Sequence, residues 1–311
     1  MVIKKWQLKS WGCLDAVKTT LPPMGQDKQT VSELITLLKH DNVTVRINAI
    51  ESLCKIGDCK AIPALIIALQ DTDSQVRANA AFALGCFRSQ AITAVEPLIM
   101  SLEDSDEWVR AKAVEALSHI RNPKATVHLA AALHDTYPGV RAKAALALPN
   151  TSHASFAVPL LIAALTDTDT RVRAAVADGL GMFGTLANDS APYLVNALQD
   201  EDLHVQINAA KALIKIGSHT THSMNILMQM LNREDTNTRI TTALNLGIIA
   251  LHFQDKANFL SVLELEQVIY DLETVSELLK INSDFEAAQF ALVSVNNALC
   301  SLKKERKSRN N

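Results

Sequence analysis

The stretch Asp71-Thr72-Asp73-Ser74-Gln75-Val76-Arg77-Ala78-Asn79-Ala80-Ala81-Phe82-Ala83-Leu84-Gly85 carries a helix start, an amphipathic face and a closing glycine, and the chain repeats it. Its Val-Arg pair recurs as Val45-Arg46, Val109-Arg110, Val140-Arg141 and Val172-Arg173, then loosens to Val205-Gln206 and Thr238-Arg239. The anchors at 46, 77, 110, 141, 173, 206 and 239 are separated by 31, 33, 31, 32, 33 and 33 residues. A period in this range means supersecondary units stacked in a row, each too small to bury its apolar face alone. Two helices fit one period, so the sequence predicts an all-α fold, a right-handed α-solenoid of about seven units. No alternating apolar pattern of useful length suggests a sheet.

Within a unit the local signals agree. Four residues before the anchor stand Asp73, Asp106, Asp169, Asp202 and Asp235, placed to accept from the open amides of a first helical turn. The fourth unit has Tyr137 there, and Pro138 supplies the start signal instead. Apolar or small residues then recur at helical spacing, as at Val109, Ala113, Val114 and Leu117. Each unit's first helix is legible as Ala61–Leu69, Ala91–Leu102, Phe156–Leu165, Ala191–Leu198 and Met224–Leu231. Pro97 and Pro159 lie deep enough to bend or shorten their helices, and Pro149 is expected to end the fourth unit's second helix early.

A second acid precedes five of the anchors by six residues: Asp71, Asp104, Asp135, Asp167 and Asp200. With Arg46, Arg77, Arg110, Arg141 and Arg173 these form a candidate ladder between neighbouring units. A device that occurs in nearly every unit sets the stacking rather than doing one chemical job, although the same charges would also make a track for a ligand.

Nearly half of the 311 residues are apolar (48%) while aromatics make up 5%, the composition of closely packed helices. A net charge of −3 argues against nucleic acid as the main partner. The five cysteines (Cys13, Cys54, Cys59, Cys86, Cys300) show no CxxC spacing and read as neutral thiols of a reducing compartment. No signal peptide and no apolar run of transmembrane length is visible, so a cytoplasmic protein without a transmembrane segment is expected. His128 and His134 do not share a helix face, and neither a phosphate loop nor a nucleophile elbow is present. No metal site and no catalytic residue is assigned.

The unit D-x-D-x-x-V-R-x-x-A-A-x-A-L-G, matched throughout by Asp71–Gly85, resembles the HEAT-like repeat of the phycobilisome bilin lyase type. The likeness covers about residues 31–250. It implies a fold shared by enzymes, adaptors and assembly factors. For function it implies either a non-catalytic scaffold without cofactor, or a phycobilin lyase subunit or phycobiliprotein-handling factor, with a bilin tetrapyrrole and a phycobiliprotein subunit as partners. No His is followed by Glu, which excludes the di-iron hydroxylase of this repeat class.

In such a solenoid the second helices line the concave side. Positions two, five and nine after each anchor share one side of the helix and supply the candidate partner-binding residues. In the second and third units these are Asn79 and Phe82, then Lys112, Glu115 and His119. The later units add Lys143, Leu146, Asp178, Met182 and Lys211. Phe82, Leu146 and Met182 put apolar groups on a face otherwise polar, while Lys112, His119 and Lys143 make its middle basic. Trp108 is the lone aromatic at a position held elsewhere by small or polar residues, and it is either a buried structural Trp or a binding anchor.

The predicted organisation is an N-terminal segment and linker over residues 1–30, the solenoid over 31–252, capping helices over 253–302 and a basic tail over 303–311. The first twenty residues of the first segment carry Trp6, Trp11 and the lysines Lys4, Lys5, Lys9 and Lys18. It reads as a cap folded back on the first unit, with a membrane-surface or partner-docking role as the alternative. The tail reads as a solvated, disordered end.

Overall fold

The computed structural model describes residues 30–309 apart from Ser152, Glu234 and residues 283–285. The proposed Trp-containing cap lies outside the described residues. Among them there is no strand, and sixteen α-helices follow one another in chain order. The first four pairs are α1 (Val31–Leu37) with α2 (Val43–Ile56), α3 (Ile62–Ala68) with α4 (Ser74–Cys86), α5 (Val95–Met100) with α6 (Glu107–Ile120), and α7 (Thr126–Ala131) with α8 (Pro138–Thr151). Then come α9 (Ala154–Ala164) with α10 (Thr170–Met182), α11 (Ala191–Ala197) with α12 (Leu203–Ile216), α13 (Thr220–Leu231) with α14 (Thr236–Lys256), and α15 (Val262–Ile281) with α16 (Glu286–Arg309). The chain is an α-solenoid of seven anchored pairs closed by a longer eighth.

Successive even-numbered helices pack directly on one another, whereas the odd-numbered helices touch each other far less. The tighter layer has the smaller radius, so the even helices form the inner, concave side. Between the layers runs one continuous core in which Leu65, Leu84, Leu117, Leu148, Leu180 and Leu213 are fully buried.

The aspartates four before the anchor cap their helices as expected: Asp106 Oδ1, for instance, accepts from the amides of Trp108 and Val109 at 2.9 and 3.2 Å. The ladder is a fork. Arg77 donates from Nε and Nη2 to the two oxygens of Asp104 at 2.7 and 2.8 Å, and from Nη1 to the carbonyls of Asp71 and Thr72. Arg110 holds Asp135, Arg141 holds Asp167 and Arg173 holds Asp200 in the same bidentate way. Each carboxylate also accepts an amide two residues on, as Asp104 does from Asp106. The first rung is single, Arg46 Nη2 to Asp71 at 2.8 Å. In the sixth unit Gln206 keeps only the carbonyl half, donating to Asp200 O.

Two expectations are corrected. The helix of the fourth unit does not stop early, because α8 runs through Pro149 to Thr151. Proline at this point removes the donor to Ala145 O one turn back, and the neighbouring helix accommodates that carbonyl. A Cβ on Gly179 would stand 2.6 Å from Ala145 O. In the second and fifth units a glycine eight after the anchor meets the alanine six after the next anchor. Gly85 lies against Ala116 and Gly181 against Ala212, where a Cβ would come within 2.9 Å of the facing Cα. Where Pro149 takes the glycine's place, the glycine moves to the other side of the contact, at 179. The second correction concerns the tail. Helix α16 continues to Arg309, where Arg306 reaches Glu266 and Arg309 donates to the carbonyls of Leu260 and Ala257, so the basic residues tie the last helix to its partner.

Three outcomes follow from this packing. Arg110→Ala leaves the largely buried Asp135 with only its amide partner and lowers unfolding stability by about 2–3 kcal/mol in denaturant titration. Gly179→Ala destabilises by about 1–3 kcal/mol in the same assay, although the exchange inside an open helix would stabilise by roughly 1 kcal/mol. For pH, all five ladder carboxylates titrate below the ordinary 3.8. In Asp71, Asp104 and Asp135 burial is the largest influence and opposes ionisation, but the arginine bond, the amide bond and the nearby arginine charges together outweigh it, while in Asp167 and Asp200 the arginine fork is the largest influence. A depressed folded-state pKa gives stability that is present above the unfolded value and lost as pH falls through the folded one. Melting temperature is therefore flat above about pH 5 and drops steeply below pH 4.

Candidate functional site

The inner face is read along the even helices. Trp108, Lys112, Glu115 and His119 follow at i, i+4, i+7 and i+11 on α6, one stripe of that helix. The centre of the face is a cross-helix cluster. Lys112 Nζ on α6 stands 4.8 Å above the ring of Phe82 on α4, a cation over the negative face of an aromatic ring. Glu115 is buried, and its Oε2 takes Lys112 at 3.1 Å and, from α8, Lys143 at 3.2 Å. Burial opposes its charge, but the two ammonium groups prevail and hold the carboxyl below its usual range. One helix pair further on, Lys211 of α12 is buried and bonded to Asp178 of α10 at 3.0 Å.

The sequence assigned these residues to partner contact. The structure brings them together, but places Glu115 and Lys211 in the wall, where they staple neighbouring even helices instead of facing solvent. Asn79 is turned onto its own helix, donating to Gln75 O. Leu146 lies half-buried in the floor of an open groove of about 430 Å3 shared with Arg171, Ala175, Asp178, His204 and Asn208. His119 packs beside Gly85, and desolvation lowers its pKa, with Glu115 acting in the opposite sense. Met182 is exposed, as is Ile248 in the matching place on α14.

Trp108 is not buried: 59% of it is exposed, and its ring lies 6.3 Å from that of Tyr137 at a 55° tilt. Tyr137 can fold across the start of α8 because the residue beside it is Gly139, where a Cβ would fall 2.7 Å from the tyrosine ring. Arg171, the corresponding residue on α10, is exposed and held by both oxygens of Asp169, whose own pKa that pairing lowers to about 2. The sequence missed Tyr137 as the surface neighbour of Trp108, and Arg171 as the exposed residue in the matching place on α10. The signal was available, since Tyr137 replaces a capping aspartate.

The cysteines depart from neutral behaviour at one point. A hydrogen bond with Cys86 on α4, helped by Lys55, lowers Cys54 on α2 to about 7 against the effect of burial. Among the described residues no three His, Cys, Asp or Glu side chains come together as a metal ligand set, and no helix is long and apolar enough to cross a membrane.

Comparison with known proteins agrees with this architecture. The family model for HEAT repeats matches residues 20–74, 62–149, 128–194 and 158–247. No curated protein matches the chain. Among solved structures, YibA of Escherichia coli is 22% identical over 89% of this chain and 93% of its own, with a TM-score of 0.52. The complex of CpcE and CpcF of phycocyanin lyase from Nostoc sp. PCC7120 is 22% identical over 92% and 99%, at 0.45. A designed armadillo repeat protein in complex with the peptide (KR)4 is 20% identical over 60% and 100%, at 0.47. At such identities the likeness concerns the fold alone. With the family model spanning most of its length, the chain belongs to the HEAT repeat family.

Proposed function

We propose that the protein is a non-catalytic interaction scaffold or assembly factor of the cytoplasm that holds a protein partner against its inner face. The observation that carries this reading is Trp108, more than half exposed, braced by Tyr137 and flanked by a charged row on the adjoining helices. Rigid, partly exposed tryptophans of this kind are enriched among residues that dominate binding energy. Phe82 under Lys112, the lysine pair around Glu115, and exposed Met182 and Ile248 continue the face with interleaved apolar and cationic groups. Such a surface suits an acidic, partly apolar segment of a partner. The Glu115 and Asp178 bridges keep the face rigid, so little ordering cost falls on this side of a complex.

A second reading comes from the resemblance of Asp71–Gly85 to the bilin lyase repeat type: a lyase subunit or phycobiliprotein-handling factor that presents a bilin and its acceptor. Titration with free bilin separates the two, since a lyase binds it with a shifted absorption spectrum and a scaffold does not.

Trp108→Ala combined with Met182→Asp is expected to leave helicity and melting nearly unchanged, because both side chains stand at the surface. The same pair lowers affinity for the partner recovered by the wild type by about tenfold or more. Quantitative pull-down followed by titration with the purified partner checks this, and undiminished binding would overturn the reading.

A further inference from the structure

A second recess lies at the C-terminal end of the solenoid, away from the Trp108 row. It is a cavity of about 350 Å3 between the end of α12, the start of α13, the last turn of α14 and the first turns of α15. Two lysines and a histidine line it: Lys215 from α12, and His252 and Lys256 from α14. Lys215 and Lys256 are close enough to His252 to oppose a charge on its ring. Burial first, then Lys215 and Lys256, hold His252 below its usual range, with Asp255 acting against them. Lys215 is lowered by burial and by Lys211, and the carboxylate that acts to restore it, Asp178, is bonded to Lys211.

The acid in the lining, Glu264, is engaged elsewhere, accepting from the amide and hydroxyl of Ser261 at 2.8 and 2.7 Å in a capping box. The rest of the wall divides by chemistry. Thr185, Thr220, Thr221 and Gln267 supply polar groups, and Phe253, Leu260 and Val268 an apolar side. The half-buried Lys215 ammonium, beside a neutral imidazole that can donate a hydrogen bond, suits an anion, and the volume falls at the small end of ligand sites.

We propose that this cavity binds a small organic carboxylate with an apolar body, its charge held among Lys215, His252 and Lys256 and its body against Phe253, Leu260 and Val268. Lys215 holds the place on α12 that Met182 and Ile248 hold on their helices, so the site adjoins the inner face, but Trp108 has no part in it.

Octanoate is the probe, with octanamide as its neutral counterpart, each titrated calorimetrically into the full chain. Octanoate is expected to bind saturably at one site and octanamide at least about tenfold more weakly. Lys215→Met, which removes a half-buried cation and so keeps the fold, weakens octanoate by a similar factor, and Trp108→Ala leaves it unchanged. If Lys215→Met loses helicity, Lys256→Gln replaces it with the same expected loss. Absence of saturable octanoate binding, equal binding of octanamide, or unaltered affinity in the lysine variant would each overturn the proposal.

Discussion

The two-pronged bond between an arginine of one unit and an aspartate of the next is the constraint on which the rest depends. One guanidinium meets the next unit's carboxylate with Nε and Nη2 and its own unit's carbonyls with Nη1. It therefore fixes the angle at which each helix pair leaves its predecessor. Apolar burial between stacked helices is strong but has no direction, and it would tolerate sliding. A planar fork does not. Repeating it four times, with a single-point version at the start, sets a regular curvature before any functional residue is placed. Where Gln206 replaces the arginine the carboxylate prong is lost, and the next anchor, Arg239, reaches an amide instead, donating to Asn282 Oδ1 at 3.2 Å.

Close packing of the even helices is the second condition, and it shows how the repeat tolerates variation. At its closest contacts the repeat uses a residue without a side chain on one of the two sides, a demand that the units with Cys54, Ser118 or Ile214 in that place do not make. Gly85 and Gly181 meet it from the preceding helix, and Gly179 meets it from the following one where Pro149 stands opposite. A proline in the fourth unit thus becomes a local exchange of partners rather than a break. The inner face inherits this regularity: side chains from successive helices fall into rows, and a substitution in one unit has neighbours at fixed places in the next.

Much of this was legible in the residues. The anchors, caps and ladder aspartates recur with a period, and a period is visible without any contact being known. What lies off the period was not. Glu115 and Lys211 look like surface residues by their place on the helix, yet each has a partner one unit away that pulls it into the wall, and such pairing is invisible until the register between helices is known. Trp108 was ambiguous for the opposite reason: whether its ring is covered depends on how the next helix sits, and the one ring that reaches it, that of Tyr137, leaves it more than half exposed. Pro149 was misread because the sequence shows the missing amide but not the room that Gly179 makes for the freed carbonyl. The basic tail looked solvated by composition, and only the position of Leu260 and Ala257 reveals what Arg309 reaches.

The account's central claim is that the inner face, not the outer one, meets a protein partner. Site-specific photo-crosslinking in native lysate tests it most directly, with a photoreactive residue placed at Trp108 or Met182 inside and at Ile67 or Met100 on the exposed side of the odd helices. The account predicts one common adduct from the two inner positions and none of it from the two outer ones. The same adduct from Ile67 or Met100, with none from Trp108 and Met182, would contradict it.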